Sequence, residues 1–256
     1  MLSTDALQVV DIARAAGAVI LSRYGRRSLL VQDKDDGSPV TDADLAADAL
    51  IRDRLGKAFA YPIVSEESPP PPDDERRAWS RWWLVDPLDG TRDFVAGTGE
   101  FCVLIALIEH GRPILGVVAA PVLGLAWAAE RGRGVWRWDH PGAVPTQVQL
   151  GTPTGPLRAF KSRFHHVPEA EAYVRALGVT ELSDMGSALK FARIAEGAAD
   201  VFVSFGAAKL WDLAAGQLIV EEAGGRVRSL TTRQSPRHDG GSLAAGPFVV
   251  CGRRLD

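Results

Sequence analysis

Residues 82–91 read Trp82-Trp83-Leu84-Val85-Asp86-Pro87-Leu88-Asp89-Gly90-Thr91: four apolar side chains in a row, then two carboxylates three positions apart flanking a proline. A short apolar run without polar alternation marks a strand of the fully buried type. Both acids therefore stand where a buried strand stops, and a plain turn has no need of the pair. Pro87 removes one N–H and fixes its own φ, while Gly90 lets backbone approach a ligand and leaves the Gly90 and Thr91 N–H groups for an anion. Such an arrangement can hold a metal ion and a phosphate together. Hard oxygen donors suit Mg²⁺, which binds through a few carboxylates and a substrate phosphate rather than a complete protein cage.

The surrounding chain has 256 residues, 46% hydrophobic and 24% charged, which suits one large or two modest domains and excludes a disordered or fibrous protein. With 29 Lys and Arg against 32 Asp and Glu the formal charge is −3, so no global field draws it to a nucleic-acid polymer or a membrane. Phosphate affinity has to be local. Cys102 and Cys251 are too few for a disulfide framework and fit no metal-ligand spacing, which suits a reducing compartment; the cytoplasm is expected. Residues 1–25 carry Asp5 and Asp11 among their apolar residues and offer no signal h-region or bilayer span.

Upstream of the acids, Leu7, Val10, Ala13, Ala16 and Ile20 form one stripe of a helix from Thr4 to Tyr24, with Gly25 as its C-cap. An acidic loop from Asp33 to Pro39 precedes a second helix, Thr41 to about Leu55, with Leu45, Ala49 and Leu50 expected inward. Pro69 to Pro72 form a stiff surface excursion. Downstream, apolar runs between Phe101 and Trp138 are separated by Gly- and Pro-bearing turns, the spacing of an antiparallel meander. Beyond Gly151 the pattern alternates between strand and helix as far as Leu230, and a boundary is placed near residue 150.

Three further acidic groups have plain structural readings. Thr41-Asp42-Ala43-Asp44 is a capping box by sequence, Glu66-Glu67 a solvated pair, and Asp212 before Leu213-Ala214-Ala215-Gly216 an N-cap acid. Calcium binding from Asp33 as the first position of an EF-hand loop fails, because Ser38 stands where the turn glycine is needed and Pro39 stiffens the next position. A haloacid-dehalogenase mechanism fails on spacing, since it needs Asp-x-Asp.

Together, however, Val40-Thr41-Asp42-Ala43-Asp44, Glu66-Glu67, Asp86-Pro87-Leu88-Asp89-Gly90-Thr91 and Trp211-Asp212-Leu213-Ala214-Ala215-Gly216 resemble, in order and spacing, the four signatures of the inositol monophosphatase superfamily. Their co-occurrence over residues 40–216 is far more specific than any one of them. Glu100-Phe101, Pro113 to Val118, Ser162-Arg163 and Gly186 to Phe191 are similar to its 3′(2′),5′-bisphosphate nucleotidase branch, the CysQ type.

The resemblance implies an α/β fold, a layered αβαβα sandwich of the sugar-phosphatase type. Residues 1–150 would carry most metal ligands, and residues 151–256 would carry Asp212 and the specificity residues. Glu66, Asp86, Asp89 and Asp212 would be side-chain ligands of Mg²⁺, the Leu88 carbonyl a backbone ligand, and Asp36 an aid to a further metal. Thr91 and Asp44 would orient the attacking water, which displaces Asp44 from its capping role, with Glu66 sharing in catalysis through the metal. Gly90, Thr91, Ser187, Lys190, His165 and Lys209 would meet the substrate, with Lys190 on the second, uncleaved phosphate. Ser204 stands where close relatives often carry Arg.

The activity implied is metal-dependent hydrolysis of a small phosphate ester, 3′-phosphoadenosine 5′-phosphate, to AMP and phosphate by direct attack of water. Neither cysteine begins a Cys-x₅-Arg loop that would form a phosphoenzyme. Two or three Mg²⁺ are expected, with Mn²⁺ as substitute and Li⁺ and Ca²⁺ inhibitory, in a monomer or homodimer. An inositol or sugar-phosphate phosphatase of the same superfamily is the enzymatic alternative, and a nucleotide sensor without turnover the non-enzymatic one.

Overall fold

The computed structural model describes residues 1–25, 31–33, 39–151, 155–165, 167–206 and 208–252. Helix α1 (Thr4–Leu21) leads through the antiparallel pair β1 (Val31–Asp33) and β2 (Pro39–Thr41) into α2 (Asp42–Ala58). Then come β3 (Ile63–Ser65), α3 (Asp73–Arg77), β4 (Arg81–Asp89), α4 (Thr91–Ala96), β5 (Cys102–Glu109), β6 (Arg112–Ala120), β7 (Leu125–Glu130), β8 (Gly134–Trp138) and β9 (Thr146–Val148). The remainder is β10 (Arg158–Ser162), α5 (Pro168–Ala176), β11 (Glu181–Met185), α6 (Leu189–Ala195), β12 (Val201–Ser204), α7 (Leu210–Glu222), β13 (Arg226–Ser229) and β14 (Phe248–Cys251).

A seven-stranded sheet runs in plain order from β3 to β9, antiparallel except for the parallel β3–β4 pair. A five-stranded sheet has the order β11-β10-β12-β14-β13. Successive strand residues point to opposite faces, and both faces of each sheet are covered. Trp83, Val85, Ile105 and Val117 pack with α1 and α2, whereas Trp82, Leu84, Leu104 and Val118 pack with α6 and α7. The second sheet meets the same two helices through Phe160, Phe202 and Phe248, and turns Val201, Val203 and Val249 toward Val174 of α5. The layers are thus α1/α2, sheet, α6/α7, sheet, α5, the expected αβαβα sandwich, and the unbroken apolar run at residues 82–85 follows from a strand roofed on both sides.

Helix α7 lies unusually close to its neighbours. A Cβ on Gly116 of β6 would fall 2.9 Å from the Ala215 carbonyl oxygen, and one on Gly216 would fall 2.7 Å from Phe191 Cβ of α6. Glycine at both positions lets the helix sink between strand and helix, which fixes where its first turn ends up.

Two sequence expectations need correction. In α2 the inward face is Ala43, Ala47, Ile51 and Leu55, while Leu45 and Ala49 are exposed and Leu50 half-buried. The face is rotated because Asp44 and Asp48 are themselves buried, held by hydrogen bonds that an apolar-periodicity argument does not register. Helix α1 stops at Leu21 with Ser22 as its cap, before Gly25, and Leu7 of the predicted stripe is exposed. Strand β14, which completes the second sheet, lies beyond the last element assigned from the sequence. Among the described residues no helix is long and apolar enough to cross a membrane.

Candidate active site

Three carboxylates converge from two layers. Strands β3 and β4 run in parallel with Ser65 opposite Val85, and the Glu66 N–H donates to the Val85 carbonyl at 3.1 Å. Backbone pairing therefore brings Glu66 and Asp86 out side by side. The third acid, Asp212, comes from the first turn of α7, where its Oδ2 accepts from the Lys209 N–H at 2.8 Å. One ligand oxygen each from Glu66, Asp86 and Asp212 lie within 4.8 Å of one another.

Burial, reinforced by neighbouring negative charge, drives the Asp86 and Asp212 carboxyls well above the usual carboxylate range. This donor set, all oxygen and mutually repelling, fits a hard divalent cation. Among the described residues it is the one such cluster of acidic, His or Cys side chains.

Asp89 stands beside this trio. A register irregularity between Asp86 and Asp89 turns the end of β4, and Asp89 Oδ2 accepts from the Ala188 N–H and from the Cys102 thiol at 3.7 Å. Its carboxyl is pushed up to about 6, chiefly by burial, with the Ala188 N–H and the Lys190 charge opposing. Asp36 lies outside the described residues, as does most of the acidic loop.

The second half of the site pairs Thr91 with Asp44. Thr91 opens α4 after Gly90, whose φ of +94° would strain any other residue and whose added Cβ would meet Ser187 Cβ at 3.0 Å. Thr91 Oγ1 lies 3.1 Å from Asp44 Oδ1 and 3.2 Å from the Leu88 carbonyl oxygen. The other Asp44 oxygen, Oδ2, accepts from the Thr41 N–H at 2.9 Å and the Thr41 hydroxyl at 2.5 Å, closing a capping box. The reading that set capping aside is therefore corrected: Asp44 caps α2 and faces Thr91 at once. Burial raises its pKa against these hydrogen bonds.

The specificity residues divide. Ser187, with a left-handed φ of +52°, and the start of α6 form a wall beside Asp89. Lys190 is 4% exposed; its ammonium donates to the Met185 carbonyl at 3.0 Å, sits 4.9 Å from the centroid of the Phe202 ring, and feels Asp89 and Asp93. Burial lowers its pKa. It lies beneath the site, bonded to the protein itself rather than open to the second phosphate that the resemblance assigned to it. His165 is exposed and, with Ser204, lines a small cavity of about 50 Å³ between β10, β12 and α5. Lys209 is held as the N-cap of α7 by its backbone, bridged to Ala244.

The sequence reading did not single out Asp48 or Asp93, and took Glu100 only as part of a branch motif without a role. Asp48 accepts from Ser65 Oγ at 2.5 Å, next to Glu66. Asp93 is buried and accepts from Thr98 Oγ1 at 2.8 Å. Glu100 Oε2 accepts from the Gly186 N–H at 2.7 Å and Arg163 at 2.8 Å, tying the Gly186-Ser187 turn to the first sheet. The one sequence signal for Asp48 was an acid one turn after Asp44 on the buried face of α2.

A model of the inositol monophosphatase family matches residues 2–252. The 3′(2′),5′-bisphosphate nucleotidase CysQ of Escherichia coli (strain K12) is 43% identical over 222 residues, covering 86% of this chain and 88% of that protein. The histidinol-phosphatase of Mycobacterium tuberculosis is 33% identical over 253 residues, covering 96% and 94%. The crystal structure of CysQ from Bacteroides thetaiotaomicron matches with a TM-score of 0.86 at 32% identity over 98% of each chain.

Proposed function

The chain belongs to the inositol monophosphatase family, and we propose that it is a metal-dependent phosphomonoesterase that hydrolyses a 3′(2′),5′-bisphosphate nucleotide, 3′-phosphoadenosine 5′-phosphate above all, to AMP and phosphate. The observation that carries the chemistry is the trio Glu66, Asp86 and Asp212 beside the Thr91–Asp44 pair. The substrate rests on the nucleotidase relatives that match most of the chain.

Glu66, Asp86 and Asp212 would hold the cation, with Asp89 and the Leu88 carbonyl at the edge of its site. When bound, a divalent cation supplies positive charge to the phosphoryl oxygens and acidity to water. Thr91 has a single proton, committed to Asp44 or to the Leu88 carbonyl, so its lone pairs accept a hydrogen bond from the attacking water. Asp44, made more basic by burial, takes up the proton through Thr91. Its capping bonds hold the carboxylate still while it does so. Ser187 and the Ala188 N–H fix the opposite wall through Asp89.

We take the metal to be Mg²⁺, two or three ions per site, with Mn²⁺ as substitute and Li⁺ and Ca²⁺ as inhibitors, and the location to be the cytoplasm. Residues 1–150 then form the metal-binding half, and residues 151–256 close over the substrate. Phosphate release from 3′-phosphoadenosine 5′-phosphate, inositol 1-phosphate and histidinol phosphate, each with Mg²⁺, tests the reading. A kcat/KM at least tenfold higher for the nucleotide is expected; a preference for either other ester would overturn the substrate assignment while leaving the metal site intact.

A further inference from the structure

At the far end of α7 from Asp212, a hollow of about 520 Å³ opens between β13, the start of β6 and the segment after β13. Among the described residues its wall carries five arginines, Arg112, Arg226, Arg228, Arg233 and Arg237, against a single carboxylate, Glu221. In a chain of net charge −3 this is a local reversal of sign. Val227 is buried, so Arg226 and Arg228 project together from the opposite face of edge strand β13.

The wall is built from beneath. Gln217 Nε2 donates to Ser235 Oγ at 2.9 Å and to the Pro236 carbonyl at 3.2 Å, and Ser235 Oγ donates to Glu221 Oε1 at 2.6 Å. With its amide so oriented, Gln217 Oε1 accepts from Nε2 of His238, a residue with no exposed surface, at 2.9 Å. This network pins the segment that bears Arg233 and Arg237 onto α7. The turn before it is tied by the Ser229 N–H to the Gln234 carbonyl at 2.9 Å and holds Arg233 at a φ of +59°, a conformation unfavourable for arginine. Glu221 is engaged by Ser235 and Gln217, and among the described residues no ion pair is recorded for Arg112, Arg228, Arg233 or Arg237. Four guanidinium groups, those of Arg112, Arg228, Arg233 and Arg237, are thus gathered here on a braced frame without an ion-pair partner among the described residues.

We propose that this hollow is a second anion site, which binds the phosphate chain of a small polyphosphate. Guanidinium forks match phosphate oxygens in pairs. The volume suits a small ligand, and walls from β13, the start of β6 and the braced segment after β13 fit a compact anion better than an extended polymer. Among the described residues no aromatic side chain lines the hollow to stack on a base, so the phosphates, inorganic or carried by a nucleoside, are what is recognised. Along α7, Glu221 is nine residues from Asp212, about 14 Å of helix rise, so the two sites are separate and share one rigid element.

Titration of inorganic tripolyphosphate into the full chain, in chelator and 150 mM salt, tests this apart from the catalytic cluster. Saturable binding is expected, weakened at least tenfold by the double variant Arg228→Gln/Arg233→Gln and less by Arg228→Lys/Arg233→Lys. Monoester turnover and the melting temperature should stay unchanged. A nucleoside triphosphate should bind within a few-fold of tripolyphosphate. Unchanged affinity in the Gln variant, no binding up to millimolar tripolyphosphate, or binding of a single-stranded oligonucleotide or a nucleoside triphosphate without tripolyphosphate would overturn the proposal.

Discussion

Thr91 Oγ1 meets Asp44 Oδ1 at 3.1 Å although 47 residues separate them in the chain, and the contact joins the exit of β4 to the entrance of α2. Thr91→Val should therefore lower kcat by roughly 10²–10⁴-fold, the range for a lost general base. Divalent cation affinity, measured by calorimetry, should change by less than about twofold, and Thr91→Ser should restore most of the rate. A Thr91→Val enzyme with kcat near that of the parent would show that the pair does not handle the proton.

Asp212 is costly to the metal-free protein. Burial and the charges of Asp89 and Glu66 raise its pKa, and a carboxyl raised in the folded state contributes stability that is fully present below its unfolded pKa and is lost as pH rises through the folded value. In chelator at pH 8, Asp212→Asn should raise the melting temperature by about 2–6 °C, since the amide can still accept from the Lys209 N–H. With saturating Mg²⁺ the order should reverse, because the parent alone gains from the ion. A variant that melts below the parent in chelator would contradict this.

His238 sets the acid limb. Burial pushes its pKa down to about 3, so between that value and 6.5 the unfolded chain binds a proton that the folded chain refuses. Stability is lost as pH falls through that window, by about 1.4 kcal/mol per pH unit from this residue. Comparing urea midpoints of the parent and His238→Gln at pH 7, 5.5 and 4.5 isolates the contribution. The variant's profile should be flatter by that slope, and parallel profiles would mean that His238 is not held neutral.

Lys190 acts from below. Lys190→Met leaves Asp89 and Asp93 without the cation that opposes their mutual burial, and should cost about 1–3 kcal/mol, a fall of roughly 2–10 °C in melting temperature. Were the ammonium instead an exposed ligand of a substrate phosphate, KM would rise with the melting temperature unmoved.

The acids at the end of β4 were legible because a buried strand that halts on two carboxylates has few structural explanations, and the αβαβα architecture followed from the family likeness. Much of the rest depends on three-dimensional neighbours. Asp44 and Asp212 looked like helix caps and are; that a cap acid also faces a site cannot be read from one helix. Lys190 looks like any helix-surface lysine until the Phe202 ring and two carboxylates close around it. Leu45 and Ala49 were assigned inward because apolar spacing was weighed without the hydrogen bonds that draw Asp44 and Asp48 inside. Glu100 supports the Ser187 turn across a gap of 86 residues to Gly186, which no local pattern reveals.

Asp44 and Asp212 occupy the same place, third residue of α2 and of α7, and each accepts from the N–H of its own helix's N-cap residue. Selection on the two positions is therefore double. In a library of all single substitutions, loss of cellular abundance and loss of catalysis should coincide at 44 and 212 for every residue that cannot accept that N–H, whereas Glu66, which follows β3 and caps no helix, should tolerate replacement in abundance and fail in catalysis only.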